Sequence, residues 1–359
     1  MKYVTNRIPI PRLFLTEQVR NSMNKVLVTG GAGFIGSNFI RSMFEMFKSV
    51  EIINYDLLTY AANLENLTDV RDFQGYRFVR GDICDRDRVY ACFQEHNIDT
   101  VVHFAAESHV DRSILGPEVF VRTNVLGTEV LLEAGRQFGV EKFIHVSTDE
   151  VYGSLGDSGK FQESTPLHPN SPYSSSKAGS DLLALAYHHT YGLPVVVTRC
   201  SNNYGPYQFP EKLIPLMIIN VLEGKRLPVY GDGRNIRDWI HVRDHCSAII
   251  ALLLEGEPGE VYNIGANTEW MNIDIVRFIL RHLGKSEDCI TYVQDRPGHD
   301  RRYAMDTAKI NRTVRWLPKF DFETGLRDTI DWYVRNKHWW SEILTGEYHD
   351  YYRKQYQEK

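Results

Sequence analysis

The feature that most constrains this chain is a glycine-rich turn between its first apolar strand and its first amphipathic helix. The turn, TGGAGFIG at Thr29 to Gly36, follows the apolar run Lys25–Thr29 and opens a helical pattern that continues to Phe47. Its glycines fit both G-x-G-x-x-G and G-x-x-G-x-x-G. Glycine lets the backbone turn tightly and approach a pyrophosphate, and the helix N-terminus adds free N–H groups. The turn therefore predicts a dinucleotide-binding βαβ unit.

An acidic residue supports this interpretation because it ends the next predicted strand. Asp56 closes EIINYD at roughly the 20-residue offset expected for a carboxylate that binds ribose hydroxyls. The same negative charge repels a 2′-phosphate, which favours NAD over NADP. Asp82-Ile83 follow the third strand, where adenine would bind, and Ala105-Ala106 follow the fourth, where small residues let the cofactor pass. Ordinary strand-end residues remain an open alternative for either pair.

Strand-like and helix-like patterns alternate from Lys25 onward. Strands are predicted at residues 25–29, 51–56, 76–79, 100–104 and 142–147, and helices at residues 34–47, at residues 86–96 and from Pro117 to near Gly139. Continuous apolar strands that alternate with helices predict a parallel sheet covered on both faces. The expected fold class is α/β, with a Rossmann-type doubly wound parallel sheet and a smaller mixed α/β C-terminal lobe.

The second half of the chain has a less regular pattern. Residues 202–206, NNYGP, are predicted as a loop, and residues 231–233 and 258–259 as turns. We expect a leader outside the fold, residues 1–24, an NAD-binding domain with the catalytic residues, residues 25–200, and a lobe for the substrate, residues 201–359, interleaved with the first domain. The leader lacks an apolar core and contains Pro9 and Pro11, so no signal peptide is predicted. The sequence leaves open whether the leader is a tag, the result of an upstream start or a real extension.

Composition excludes several other classes of protein. The chain has 359 residues with 41 basic and 46 acidic side chains, a formal charge of −5, which disfavours nucleic-acid binding. It has no apolar run of the ~18 residues that a membrane span needs. The five cysteines form neither C-x-x-C pairs nor a zinc-ligand spacing, so we expect buried thiols, no metal site and a reducing, cytoplasmic compartment.

A tyrosine and a lysine at helical spacing are the first candidate catalytic residues. Tyr173 and Lys177 open a helix after the proline-rich loop at residues 165–172, and positions i and i+4 share one helix face. A lysine there can lower the pKa of the phenol and bind the cofactor ribose, so that the tyrosine acts as a base toward a sugar hydroxyl. Y-x-x-x-K is common by chance, but here it follows a dinucleotide fold and a strand that ends in Ser147-Thr148.

The motifs described above, together with further segments along the chain, resemble the extended short-chain dehydrogenase/reductase family, and within it the sugar-nucleotide 4,6-dehydratases that act on dTDP-glucose. The resemblance runs from about Lys25 to the C-terminal helix and leaves the leader outside; DLLTYA departs mildly from the family's usual wording. The segments that carry it are TGGAGFIGSN (29–38), DLLTYA (56–61), FAAESHVDRS (104–113), STDEVYG (147–153), SPYSSSKAGSD (171–181), SNNYGPYQFPEKLIP (201–215), VYGDGRNIRDWIHVRDH (229–245) and DRPGHDRRYA (295–304).

Two adjacent acids distinguish the possible reactions. Related sugar-nucleotide epimerases share the cofactor fold and the Tyr/Lys pair but lack the acids that follow Thr148 here. Loss of water needs one group to remove the C5 proton and another to protonate the departing C6 hydroxyl. The resemblance implies that Asp149 is the acid and Glu150 the base. Two solvated carboxylates at a strand end are the structural alternative.

The resemblance also implies the remaining site residues. The catalytic set is Thr148, Asp149, Glu150, Tyr173 and Lys177. The NAD-binding set is Gly30, Gly33, Phe34, Ile35, Gly36, Asp56, Leu57, Thr59, Asp82, Ile83, Phe104, Ala105, Ala106, Ser108, Thr123, Tyr173, Lys177 and Asn203. The substrate set is Ser108, Thr148, Asn202, Lys212, Leu213, Pro228, Val229, Tyr230, Arg237, Asn272, Asp295, Arg296 and His299. In the last set Arg237 and Arg296 are expected to bind the diphosphate through forked, charge-assisted hydrogen bonds.

The implied reaction is redox-neutral: C4 is oxidised, water is lost across C5 and C6, and hydride returns to C6, which yields a 4-keto-6-deoxy sugar nucleotide. A homodimer is implied, built as a four-helix bundle from the helices after Pro117 and Pro172. The rival interpretations are a dehydratase for a UDP or CDP sugar, a sugar-nucleotide 4-epimerase, and a non-catalytic NAD-binding sensor. His109 is predicted as a structural histidine in preference to a catalytic one, and His188-His189 as helix surface in preference to a metal site.

Overall fold

The structure, a computed structural model, describes residues 25–344. The strands are β1 (Lys25–Thr29), β2 (Glu51–Asp56), β3 (Tyr76–Arg80), β4 (Thr100–His103), β5 (Lys142–Thr148), β6 (Val195–Cys200), β7 (Asn202–Tyr204), β8 (Leu227–Tyr230), β9 (Ile236–His241), β10 (Val261–Ile264), β11 (Glu269–Met271) and β12 (Ile290–Val293).

The α-helices are α1 (Phe34–Met46), α2 (Arg86–His96), α3 (Val110–Leu115), α4 (Pro117–Phe120), α5 (Thr128–Phe138), α6 (Pro172–Tyr191), α7 (Leu213–Leu222), α8 (Val242–Glu255), α9 (Asn272–His282), α10 (Ala308–Val314), α11 (Phe322–Arg335) and α12 (Lys337–Ile343). Turns of 3₁₀ helix cover Leu64–Leu67, Asp149–Tyr152 and Glu287–Cys289, and a π-helical segment, Val121–Gly127, joins α4 to α5.

Seven parallel strands form the central sheet in the order β10-β6-β5-β4-β1-β2-β3. The chain runs outward from β1 in one direction through β2 and β3, and in the other through β4, β5 and β6. The strand order therefore reverses between β1 and β4. In doubly wound sheets a ligand binds beyond the carboxyl ends of the strands at such a reversal. Two small sheets, β11-β9-β7 and β12-β8, lie outside the central sheet.

The central sheet is covered on both faces, as its apolar strands predict. Val26 and Val28 of β1 belong to one buried cluster, with side chains from α1 and α8, whereas Leu27 between them belongs to another, with side chains from α2, α5 and α6. Successive strand residues point to opposite faces, so this alternation places helices on both sides of the sheet. A third buried cluster joins α7, α9, α11 and α12 in the second half of the chain.

The predicted elements of the first half are largely confirmed. β1, β2 and α2 have the predicted bounds, and the long helix after Pro117 is a helical run interrupted by the π-helical segment. The prediction of a loop at residues 202–206 was wrong for Asn202–Tyr204, which forms β7 and pairs in parallel with β9. This strand of three residues is stabilised by a partner far away in the chain, so local pattern does not reveal it. The leader, residues 1–24, lies outside the described residues, and the domain boundary at residue 200 stays a prediction.

Candidate active site

The glycine turn between β1 and α1 lies close to the end of β4. Gly30 has a φ of +70°, and a Cβ at this position would lie 2.7 Å from the backbone nitrogen of Ala105. A Cβ on Gly36 would collide with the carbonyl oxygen of Gly30. Gly33 is the N-cap of α1 and makes no side-chain hydrogen bond to the helix, so a ligand can approach the N-terminus of α1. These observations fit a turn that receives a pyrophosphate on backbone N–H groups.

Asp56 at the end of β2 ties this turn to the sheet. Its Oδ2 accepts a hydrogen bond from the Ala32 backbone N–H at 3.0 Å, and its Oδ1 accepts one from that of Leu58 at 2.8 Å. Burial raises the pKa of the carboxyl group, and the two N–H donors act in the opposite direction. The carboxylate is therefore held in a fixed position at the edge of the cavity described next.

A cavity of about 530 Å³ opens at the carboxyl ends of the central strands, beside the reversal of strand order. This volume is within the usual range for a pocket that binds a small molecule. Every residue of the predicted NAD-binding set and all five predicted catalytic residues line it. Four of the predicted substrate residues do so as well: Ser108, Thr148, Asn202 and Lys212.

The other predicted substrate residues do not line this cavity. They are Leu213, Pro228, Val229, Tyr230, Arg237, Asn272, Asp295, Arg296 and His299. Several of them contact one another: the Arg296 guanidinium lies 4.7 Å from the Tyr230 ring and binds Asp111 at 3.2 Å, and the Tyr230 hydroxyl bonds to Asp111 at 3.1 Å. The charges of Arg237 and Arg296 nevertheless act on Glu150, which lines the cavity.

Arg237 is held by backbone oxygens and by an aromatic ring. Its guanidinium donates to the carbonyl oxygens of Ile236 and Asp300, both at 2.8 Å, and lies 4.1 Å from the Tyr303 ring centre. The Tyr303 hydroxyl in turn donates to Asp300 at 2.5 Å. The side chain is therefore fixed on β9 in a defined direction.

The start of α6 positions Tyr173 and Lys177. Ser171 caps the helix in a reciprocal capping box with Ser174, and Pro172 occupies the first turn. Tyr173 is therefore held in the first turn, where it is buried and lines the cavity together with Thr148 at the end of β5. Lys177 donates to the Val146 carbonyl oxygen at 2.8 Å, which brings both α6 side chains onto β5.

The electrostatics of this pair differ from the expectation that Lys177 lowers the pKa of Tyr173. Burial raises the pKa of Tyr173 well above its usual value, and the charge of Glu150 adds to this effect, whereas the hydrogen bond with Thr148 opposes it. Burial also lowers the pKa of Lys177 to about 8. The main reason is burial of the phenol, to which the nearby carboxylates add, while the Lys177 ammonium donates to the Val146 carbonyl.

Asp149 and Glu150 stand next to each other in unlike surroundings. Burial raises the pKa of Asp149 well above its usual value, the charges of Glu150 and Asp238 raise it further, and Arg237 opposes them. Burial raises the pKa of Glu150 as well, with a smaller contribution from Asp300, but Arg237, Lys212 and Arg296 oppose this effect. Asp149 is fully buried, whereas Glu150 is half-buried. More positive charge therefore acts on Glu150 than on Asp149.

Two carboxylates that the sequence did not single out also line the cavity. Glu211 binds Arg112 and the Tyr60 hydroxyl, both at 2.9 Å, and burial raises its pKa; burial likewise raises the pKa of Glu107. Both lie inside segments that carry the family resemblance, in FAAESHVDRS and SNNYGPYQFPEKLIP, so their position in those segments was the available signal.

The remaining histidines and the cysteines agree with structural roles. His109 is buried at the N-cap of α3, and burial lowers its pKa well below the usual value. His188 bonds to the Leu193 carbonyl at 2.9 Å. Residues 25–344 contain no group of three or more side chains that could hold a metal ion, and none of their helices is long and apolar enough to cross a membrane. All five cysteines are free; Cys92, Cys200 and Cys246 are buried, but the prediction of buried thiols was wrong for Cys84 and Cys289, which are partly exposed.

Known proteins share both the sequence and the fold. A family model described as GDP-mannose 4,6 dehydratase matches residues 27–329. A relative named dTDP-glucose 4,6-dehydratase from Xanthomonas campestris pv. campestris (strain B100) is 52% identical over 340 residues, which cover 90% of this chain and 96% of the relative.

Solved structures extend the comparison to the fold. The dTDP-glucose 4,6-dehydratase DesIV from Streptomyces venezuelae, solved with NAD and TDP bound, is 51% identical with a TM-score of 0.87, and the match covers 89% of this chain and 99% of DesIV. A UDP-glucose 4-epimerase from Thermus thermophilus, solved with NAD, has a TM-score of 0.81 but only 31% identity, over 87% of this chain and 99% of the epimerase. The dehydratases are therefore much nearer in sequence than this epimerase.

Proposed function

Because the chain belongs to the dTDP-glucose 4,6-dehydratases of the extended short-chain dehydrogenase/reductase family, we propose how its own side chains divide that reaction among them. The reaction converts dTDP-glucose into dTDP-4-keto-6-deoxyglucose and serves deoxysugar biosynthesis. The observation that carries the proposal is the place of the two adjacent acids beyond the end of β5: both line the cavity, Asp149 is fully buried, and Glu150 is half-buried near the charges of Arg237, Lys212 and Arg296.

The residues around the cavity fit NAD. The glycine turn would hold the pyrophosphate, Asp56 an adenosine ribose, and Asp82 with Ile83 the adenine, since all of them line one continuous cavity. Lys177 would bind the nicotinamide ribose. When bound, NAD supplies a positively charged nicotinamide ring and exchanges the redox equivalent with C4 and C6 of the sugar.

Tyr173 is the base that takes the proton from the C4 hydroxyl. Thr148 and Tyr173 line the same cavity and would both bind O4, so that both groups hold the oxygen whose proton is removed. Because burial opposes ionisation of the phenol, a positive charge must offset it in the reacting complex. Lys177 provides such a charge in the cavity, one helical turn from Tyr173.

Asp149 and Glu150 then remove water. The 4-ketone makes the C5 proton acidic, and Glu150, whose negative charge the three cations stabilise, takes it. Asp149 keeps its proton because it is buried beside Glu150 and Asp238, and it gives this proton to the departing C6 hydroxyl. Two carboxyl groups whose surroundings separate their pKa values in this way are typical of an acid–base pair.

Arg237 and Arg296 would bind the substrate diphosphate, since they bring positive charge to the end of the cavity that contains Glu150. Pro228, Val229, Tyr230, Asn272, Asp295 and His299 would surround the nucleotide, and Leu213 would lie beside Lys212 and Asn202 near the sugar. For thymine as the base, the support is the identity with relatives that act on dTDP-glucose.

A homodimer through the helical run after Pro117 and through α6, and a cytoplasmic location, complete the proposal. Large apolar side chains are exposed on these elements, among them Val119 (45%), Val121 (56%) and Leu182 (59%). Pairing with a second copy would bury them in the four-helix bundle.

The test is incubation of the purified protein with dTDP-glucose, UDP-glucose and CDP-glucose in separate reactions, without added cofactor. We expect dTDP-glucose to give a product lighter by one water, and the other two to react more slowly. A product of unchanged mass would favour a 4-epimerase, and absence of any product with all three would favour a non-catalytic NAD-binding protein.

A further inference from the structure

A buried polar network lies behind the catalytic side chains of α6. Tyr173, Lys177 and Asp181 follow one another at intervals of four residues, so they lie along one face of the helix. All three are buried, and Asp181 is fully inaccessible to solvent. Asp181 does not line the cavity, so it cannot touch substrate or cofactor there.

The carboxylate of Asp181 joins α6 to two neighbouring strands. Its Oδ2 accepts a hydrogen bond from Arg199 Nε of β6 at 2.8 Å, and its Oδ1 lies 3.3 Å from His145 Nε2 of β5. Arg199 also donates to the Tyr152 hydroxyl at 2.9 Å, in the 3₁₀ turn that contains Asp149 and Glu150. The network therefore reaches every element that supplies a catalytic residue.

The same helix face binds β5 at consecutive residues. Lys177 donates to the Val146 carbonyl, while Ser180 bonds to His145 at 3.1 Å and donates to the Lys177 carbonyl at 2.8 Å. β5 ends two residues beyond Val146 at Thr148. The contacts between α6 and β5 thus set the position of Thr148 relative to Tyr173.

We propose that Asp181 is a positioning residue for the reaction: its buried carboxylate, clamped by Arg199, holds α6 against β5 and keeps the Lys177 side chain in its ammonium form. The inference rests on the role of Lys177 in the proposed function. Burial of an ammonium group favours its neutral form, so a buried lysine needs a negative charge close by to stay protonated.

The charges around Lys177 support this assignment. His103 of β4 and His145 of β5 face it, and burial lowers the pKa of both, so they contribute no positive charge at neutral pH. On β6 Cys200 faces it as a neutral thiol, because burial raises the pKa of that thiol to about 12. On α6 itself the buried phenol of Tyr173 is neutral. The His145 ring, 3.3 Å from Asp181 Oδ1, and the Arg199 guanidinium outweigh burial and hold the pKa of Asp181 below its usual value. Asp181 is therefore the ionised acid that acts on Lys177.

The test compares Asp181→Asn, which keeps the size of the side chain and removes its charge, with Asp181→Glu, which restores the charge. Full-length protein carrying carbon-13 at lysine Cε is titrated by NMR, and the Lys177 resonance is identified by its loss in Lys177→Met. We expect its midpoint to fall by about one pH unit in Asp181→Asn. We expect the alkaline limb of the kcat profile to fall with it, and Asp181→Glu to return both toward wild type. Asp157→Asn, an exposed acid in the loop after β5, is the control and should change neither.

An unchanged Lys177 midpoint in Asp181→Asn would overturn the inference, whatever happens to activity. If Asp181→Asn does not fold, the double variant Asp181→Asn with Arg199→Gln removes the unpaired guanidinium, and its midpoint decides in the same way. Lys177→Met separates this inference from the proposed function. Wild-type turnover in Lys177→Met would refute the catalytic role of Lys177, while the NMR midpoint in Asp181→Asn would still show whether Asp181 sets its charge.

Discussion

At the scale of single residues, the identity of a group says less about its role than the charges that surround it. Tyr173 lies buried in the first turn of α6, and its pKa is raised by burial and by Glu150. Such a phenol is a poor base by itself. Its reactivity must therefore depend on positive charge within the reacting complex. Lys177, one helical turn from Tyr173, supplies such a charge.

Replacing Tyr173 by Phe tests this role. Tyr173→Phe keeps the ring and removes the group that accepts the O4 proton, so we expect kcat to fall about 10²–10⁴-fold, the usual scale for loss of a general base. Binding of the nucleotide should change little. Tyr187→Phe, on the same helix but outside the cavity, serves as the control and should retain turnover. Turnover close to wild type in Tyr173→Phe would rule out this assignment.

The adjacent acids allow oxidation and dehydration to be separated. Asp149→Asn and Glu150→Gln keep the shape of each side chain and remove its proton transfer, which the C4 oxidation does not need. Rapid mixing with substrate should show reduction of the nicotinamide followed by a slow or absent return to the oxidised form. Glu150→Gln should also block exchange of the C5 proton with deuterium from solvent, whereas Asp149→Asn should retain some exchange. Asp157→Asn is a control for loss of one carboxylate.

Partial effects would agree with this scheme, since a water could replace Asp149 as the proton donor. Water loss at the wild-type rate in both variants would not agree with it. The two acids would then be ordinary residues at a strand end, and the 4-epimerase reaction would become the better interpretation.

At the scale of elements, a comparison of two glycines with positive φ distinguishes backbone strain from steric crowding in the turn between β1 and α1. Gly30 and Gly139 both have positive φ, of +70° and +68°, but a Cβ meets the backbone of Ala105 only at Gly30 and open space at Gly139. Either Gly→Ala change costs roughly 1–2 kcal/mol of backbone strain. We expect Gly30→Ala to lose bound NAD as well, and Gly139→Ala to lower the melting temperature with NAD retained. Equal NAD content in the two purified variants would contradict the proposed place of the pyrophosphate.

The helix α6 has a catalytic face and an apolar face. Leu182 is 59% exposed on α6, next in sequence to the fully buried Asp181. Burying one such side chain contributes about 1.5–3 kcal/mol, and a two-fold interface loses this contribution twice. For the proposed homodimer we therefore expect Leu182→Glu to raise the dimer Kd by ~10²-fold or more, measured by light scattering across a dilution series. Val334→Glu, on α11, is the matched control. An unchanged Kd in Leu182→Glu would place the interface elsewhere.

At the scale of the whole molecule, the cofactor is regenerated within each turnover. The redox equivalent taken from C4 is returned to C6, so no net oxidation occurs. We expect NAD to co-purify with the protein and to remain at constant amount while many equivalents of product form, as measured by absorbance and by mass analysis. The Gly30→Ala variant provides an NAD-depleted control. A need for stoichiometric added NAD, with NADH accumulating beside product, would contradict the redox-neutral scheme.

Features that depend on local spacing could be identified from the order of residues alone. The glycine turn, Asp56 and the Tyr173/Lys177 pair belong to this class because a strand, a turn and one helical turn bring together residues that are close in the chain. The rest of the predicted NAD-binding set came from the family resemblance, and these residues line the cavity because the carboxyl ends of parallel strands meet at one edge.

Features that depend on distant partners could be identified only in the folded chain. β7 exists because β9 pairs with it, and Lys177 is directed to Val146 because α6 packs on β5. Arg237 acts on both Asp149 and Glu150, whereas Lys212 and Arg296 act on Glu150 and Asp238 acts on Asp149, and all four come from distant parts of the chain. Electrostatic energy depends on distance and burial in space, and neither quantity can be read from the order of residues in the chain.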